Sequence, residues 1–194
     1  MSLSRLERQI AFLAQADALK SVERQSRIVG GSRRENSAEH SWHLALFALV
    51  LGADHPAIDT ARVVAMLLVH DLVEIDAGDT PIHGTHDLAF VARAEEEAAE
   101  RLFGLLPEDQ RDGLLALWRE FERAETPDAR FAKALDRLQP LLLNTLTAGG
   151  TWTENGVTQD QVHARYGPVI EKGSPDWWAH ARTLVARHFS GSEG

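Results

Sequence analysis

Apolar residues recur along this chain at spacings of three and four, and seldom in strict alternation. Leu6, Ile10, Leu13 and Ala14 form the first such stripe, opened by Ser4 with Glu7 three residues on. That pair is a capping-box signature, each side chain satisfying a backbone N–H of the other residue, and it predicts a helix to about Leu19. Asn36 with Glu39 predicts the start of a second helix, SAEHSWHLALFALVLGA. Its stripe is Leu44, Phe47 and Leu51, with His40 and His43 near its beginning. Asp59 caps a third helix, about 60–75, whose text VVAMLLVHDLVE stays apolar until His70, Asp71 and Glu74 arrive together. The loop IDAGDTPIHG follows, punctuated by Gly78, Pro81 and Gly84.

The later helices are as regular. One is predicted over about 87–104, with an acidic, solvated middle at Glu95 to Glu97 and Glu100. Pro107 opens the next, to about Ala124, with Leu114, Leu117, Trp118 and Phe121 as its core stripe. Thr126-Pro127-Asp128 opens a long helix whose core face is Phe131, Leu135, Leu138 and Leu142. TWTENG reads as a short loop. Thr158 with Gln161, and then Ser174-Pro175-Asp176, open the last two helices, and Trp177 and Trp178 pack the final one onto the body. The pattern predicts an all-α fold of roughly seven to eight helices. It predicts one domain over 1–194, with a core in about 5–145 and 150–194 packed on it.

Composition narrows the class. A hydrophobic fraction of 44% and a charged fraction of 25% are ordinary for a soluble globular chain. No apolar run approaches the ~18 residues of a membrane span, and MSLSRLERQI is no signal peptide, so a cytoplasmic protein is expected. With no cysteine, a metal would have to be held by His, Asp and Glu. A net charge of −9 argues against a partner that is a nucleic-acid polymer. Against this background segment 20–34 carries Lys20, Arg24, Arg27, Arg33 and Arg34 against the single Glu23, with Gly30-Gly31 inside. It reads as a basic, flexible loop, either a solvated connection or an anion clamp.

Candidate chemistry starts at His70-Asp71, polar residues at the end of a buried helix, where an unpaired charge is costly. Glu74 shares a helix face with each of them. The second His-Asp pair, His86-Asp87, lies in a loop, with Asp87 as a helix cap. His43 is a single imidazole on an apolar face and reads as a core histidine, whereas His40 sits in a first turn beside the basic segment. Asp136 lies mid-helix, four residues before Pro140, which removes the donor for its carbonyl and predicts a kink. Its carboxylate either points inward or pairs on the surface with Lys133 or Arg137. His40, His70, Asp71 and Asp136 together would offer two nitrogens and two carboxylates, a set suited to Mn, Fe, Co, Ni or Zn rather than Ca or Mg.

Four blocks arrive in order: Arg34-Glu35-Asn36-Ser37-Ala38-Glu39-His40, His70-Asp71-Leu72-Val73-Glu74, Gly78-Asp79-Thr80-Pro81 and Leu135-Asp136-Arg137. In this order they resemble the HD superfamily of metal-dependent phosphohydrolases, in particular the YfbR-type 5'-deoxynucleotidases and their eukaryotic HD-domain relatives. The resemblance covers roughly residues 5 to 145; from about 150 on the chain matches poorly and is expected to serve packing or a subunit contact. It implies a divalent transition metal on His40, His70, Asp71 and Asp136, and Glu74 and Asp79 in proton handling. It further implies Arg24, with Arg34 as a second candidate, on the phosphate. Where bacterial members carry Arg-Trp, this chain has Arg24-Gln25. The implied activity is metal-assisted hydrolysis of a phosphomonoester, the substrate a small nucleotide and the assembly a homodimer. Two alternatives stand beside it: hydrolysis of a phosphodiester, and a helical domain that binds nucleotide or metal without turnover.

Overall fold

The computed structural model describes residues 3–191. Residues 1–2 and 192–194, the ends of the expected domain span, lie outside the described residues. The chain runs through α1 (Arg5–Ala16), β1 (Glu23–Arg27), β2 (Arg34–Asn36), α2 (Ser37–Leu51), α3 (Thr60–Val69), α4 (Glu74–Ala77), α5 (Leu88–Phe103), α6 (Glu108–Arg123), α7 (Pro127–Leu146), α8 (Gly150–Glu154), α9 (Gln159–Gly173) and α10 (Pro175–Gly191). The all-α expectation holds apart from one two-stranded hairpin.

The starts lie where cap chemistry puts them. Ser4 Oγ accepts from Glu7 N–H at 3.3 Å while Glu7 Oε2 accepts from Ser4 N–H at 2.7 Å. Asn36 and Glu39 repeat this reciprocal pair at the head of α2, and Thr158 and Gln161 at the head of α9. Asp59 Oδ1 caps α3 through Arg62 N–H, and Thr126 Oγ1 caps α7 through Ala129 N–H with Pro127 in its first turn. Each such cap satisfies an N–H that the helix cannot, a contribution of about 1 kcal/mol.

Four expectations change. The helix begun at Arg5 ends at Ala16, and a 3₁₀ turn, Asp17–Ser21, takes the chain on to Leu19. The basic segment is not a loose loop: β1 and β2 pair antiparallel, with an irregularity in register, and turn through Gly31 at a φ of 65°. The predicted helix over 60–75 is not continuous either. It tightens into a 3₁₀ turn at His70–Val73 before the short α4. TWTENG contributes most of α8 rather than a loop. Across Pro140, by contrast, α7 remains one helical element.

Helix α7 organises the interior. Its first half gives Phe131, Ala132 and Leu135 to a core shared with α2, α3, α5 and α6. Its second half gives Leu138 and Leu141 to a second cluster with Trp152, Val162, Tyr166, Ile170 and Trp178. Asp136 sits where the two clusters meet. Helix α9 lies close against α7 because Gly173 has no side chain; a Cβ there would stand 2.3 Å from Ala134 Cβ. No helix among the described residues is long and apolar enough to cross a membrane.

Candidate metal centre

Four polar side chains converge at the seam between the two clusters. His40 comes from the first turns of α2, His70 and Asp71 from the 3₁₀ turn after α3, and Asp136 from the middle of α7; all four are buried. One ligand atom from each of His40, His70 and Asp71 can be chosen so that all lie within 4.8 Å of one another. Asp136 Oδ1 stands 3.1 Å from His40 Nε2 and 3.7 Å from His70 Nε2. Of the two surface-or-inward readings of Asp136, the inward one holds, and the surface partner is present as well: Arg137 Nη1 donates to Asp136 Oδ2 at 3.0 Å.

The imidazoles are held in the tautomer a metal needs. His70 Nδ1 donates to Leu67 O at 2.9 Å, which aims Nε2 at the cluster. That Nε2 is buried and has no aligned hydrogen-bond partner, although Asp71 Oδ1 lies 2.9 Å away. His40 Nδ1 donates to Gln139 Oε1 at 3.1 Å, and Gln139 Nε2 donates in turn to Glu35 Oε2 at 3.0 Å. Each ring is thus anchored through one nitrogen and presents the other. Two free imidazole nitrogens facing two carboxylates, one nitrogen an orphan, fit a divalent transition ion.

The two carboxylates favour positive charge at this point. Burial works against a charge on His70, yet Asp71 and Asp136 overcome it and lift its pKa to about 10. Burial likewise opposes ionisation of Asp71 and Asp136, and is outweighed in each. His70 and Arg24 hold Asp71 down, and Arg137, His40 and His70 hold Asp136 well below the usual carboxylate range. The cluster draws a cation to one point.

Around it stand the acids of the cleft. Arg24 alternates inward on β1 with Ser26, while Glu23 and Gln25 face out. Its Nη1 reaches Asp71 Oδ2 at 3.0 Å, Asp79 Oδ1 at 3.3 Å and Glu74 Oε1 at 3.6 Å. The 3₁₀ turn, in which residues three apart eclipse, brings Glu74 over Asp71. Gly78, at a φ of 77° that favours glycine, reverses the chain so that Asp79 returns to the same guanidinium. Burial first, then repulsion by Asp71, pushes Glu74 up to about 8; burial also raises Asp79. Ser37 Oγ donates to Glu74 Oε2 at 2.5 Å, leaving Oε1 toward Arg24.

Sequence reasoning placed His40, His70, Asp71, Asp136, Glu74, Asp79 and Arg24, and the structure brings all seven together. Arg34 is not brought there. Its guanidinium bonds the Gln25 side chain and lies 3.4 Å from Glu154 Oε2 on α8. His43, read as a core histidine, is half-buried, and its Nδ1 accepts from Gln139 Nε2 at 3.2 Å. Sequence reasoning missed Glu35, Ser37 and Gln139, whose partners lie far away in the chain. Glu35 stands in the first motif block, and Gln139 lies one turn beyond Asp136.

The sequence profile of the HD domain family matches residues 16–178. The human and bovine proteins named 5'-deoxynucleotidase HDDC2 are each 33% identical over 134 residues, covering 69% of this chain. The aligned part spans 65% of the human protein, just under two thirds of its length. A crystal structure of a predicted metal-dependent phosphohydrolase from Magnetospirillum magnetotacticum MS-1 is 50% identical, with a TM-score of 0.90 and 97% of each chain covered. The C-terminal region, which matched the motif pattern poorly, thus falls inside the structural match, and the family match runs through α9 as far as residue 178. With a profile matching most of its length and the four motif blocks gathered at one point, this chain belongs to the HD domain family.

Proposed function

We propose that this chain is a metal-dependent 5'-deoxynucleotidase, hydrolysing deoxynucleoside 5'-monophosphates to deoxynucleoside and phosphate. The observation that carries the reading is the convergence of His40, His70, Asp71 and Asp136, with Glu74, Asp79 and Arg24 facing the same space. The names of the relatives support a monoester substrate. In this reading the four buried side chains hold one Mn, Co, Fe, Ni or Zn ion. Bound there, the ion supplies Lewis-acid charge and lowers the pKa of water. Glu74, its Oε2 fixed by Ser37, takes a proton from the attacking water at Oε1. Asp79, which meets the same Arg24 Nη1 as Glu74 and is raised by burial, delivers a proton to the departing 5'-oxygen as the P–O bond breaks. Arg24 adds positive charge beside the phosphoryl oxygens. Arg34 belongs to the hairpin rather than to the phosphate.

The expected homodimer has a candidate surface in the exposed apolar side chains Trp42, Leu49 and Val50 of α2 and Leu146 of α7. The reading is tested with mono-, di- and cyclic nucleotides, each assayed with several divalent metals. Phosphate release from deoxynucleoside 5'-monophosphates, with cyclic nucleotides and dinucleotides inert, is the expected pattern. Cleavage of a diester in their place would make the protein a phosphodiesterase, and binding without turnover would make it a nucleotide-binding domain.

A further inference from the structure

We infer that Arg137 is a phosphate-binding residue, a second cation that receives the phosphoryl oxygens of the substrate; the inference rests on the phosphohydrolase reading above. The Nη1 of Arg24 is already shared among three carboxylates, those of Asp71, Asp79 and Glu74, and Glu35 Oε1 lies 3.7 Å from Arg24 Nε. A phosphate dianion entering beside these four carboxyl groups and that of Asp136 needs further positive charge even after a divalent ion is counted.

Two cations line the metal-side cleft from α7, Lys133 and Arg137. Lys133 is engaged, its Nζ 3.0 Å from Glu122 Oε1 and 4.0 Å above the Phe121 ring. Arg137 makes one ion pair among the described residues, through Nη1 to Asp136 Oδ2, and its side chain is 33% exposed. The remaining donors of its planar fork stay available, and that fork matches two phosphoryl oxygens. The oxygen of Asp136 that it grips is the one turned away from the imidazoles, so a group held by Arg137 lies beside the metal position. Arg137 also lines the neighbouring cavity walled by Gln25, His83, Asn155 and Tyr166. It therefore stands at the junction where a phosphoryl group on the metal side would join the rest of its nucleotide.

The test is calorimetric titration of manganese-loaded protein with inorganic phosphate, with metal content measured alongside. Arg137→Gln is expected to keep its metal and to bind phosphate about 10- to 150-fold more weakly, the range of a lost charge-assisted contact. Arg137→Lys should recover part of that loss, and Arg34→Gln should bind as wild type does. Unchanged phosphate affinity in Arg137→Gln overturns the assignment. Loss of metal from that variant also overturns it, since Arg137 would then act only as a support for Asp136. Failure of the nucleotidase reading looks different: phosphate binding would still depend on Arg137, and no nucleotide would be hydrolysed.

Discussion

A histidine serves a metal only if one ring nitrogen is kept free, and here Leu67 O and Gln139 Oε1 each occupy Nδ1. The same economy governs Glu74. Burial and the neighbouring Asp71 push it up to about 8, and a cation in the cluster would favour its ionised form. A base works deprotonated, so the rate should climb as pH rises through the pKa of Glu74 and level off above it. Glu74→Gln should retain metal and substrate binding, lose ~10²-fold or more in kcat, and flatten that rising limb. Metal loss would make Glu74 a ligand; near-wild-type kcat would hand the proton work to Asp79. At this scale the candidate ligands were legible because His-Asp at a buried helix end and an acid in mid-helix are anomalies. Ser37, Glu35 and Gln139 carry no such mark. A polar residue becomes a support only through a partner about 37 to 104 positions away, which spacing along the chain does not encode.

Helix starts were legible because caps are local chemistry: a side chain bonding an N–H three residues on needs no tertiary structure. The hairpin was not. Its first strand, ERQSR, contains no apolar residue, so its inward positions, Arg24 and Ser26, lack the alternation that reveals a strand. What fixes it is the pairing with β2, and on its outer side the two arginines, Arg27 and Arg34, that meet Glu154 of α8. The break of the central helix at His70 was likewise hidden, since VVAMLLVHDLVE satisfies helical periodicity throughout. Element packing gives its own test. Gly173→Ala would drive a methyl group into Ala134 and toward Arg130 O, 3.1 Å from the new Cβ, forcing α9 off α7. Chemical denaturation should show a loss of about 1–3 kcal/mol, as overpacking does; unchanged stability would mean that the two helices are free to part.

On the scale of the molecule, a chain of net charge −9 concentrates acids around one point and sets a buried arginine among them. That arrangement is costly unless a cation joins it, which ties the fold to its cofactor. The all-α architecture followed from periodicity, while the part played by the C-terminal helices did not. Their residues supply a second core and a cavity wall, tasks that many apolar and polar sequences perform equally well. Helix α7, which spans both cores, is what sets Asp136 against His40 and His70. The central claim is that these residues, with Asp71, make one transition-metal site. Elemental analysis of protein purified without chelator tests it most directly. Wild type should carry close to one equivalent of a transition metal and Asp71→Ala far less; full metal content in Asp71→Ala would contradict the account.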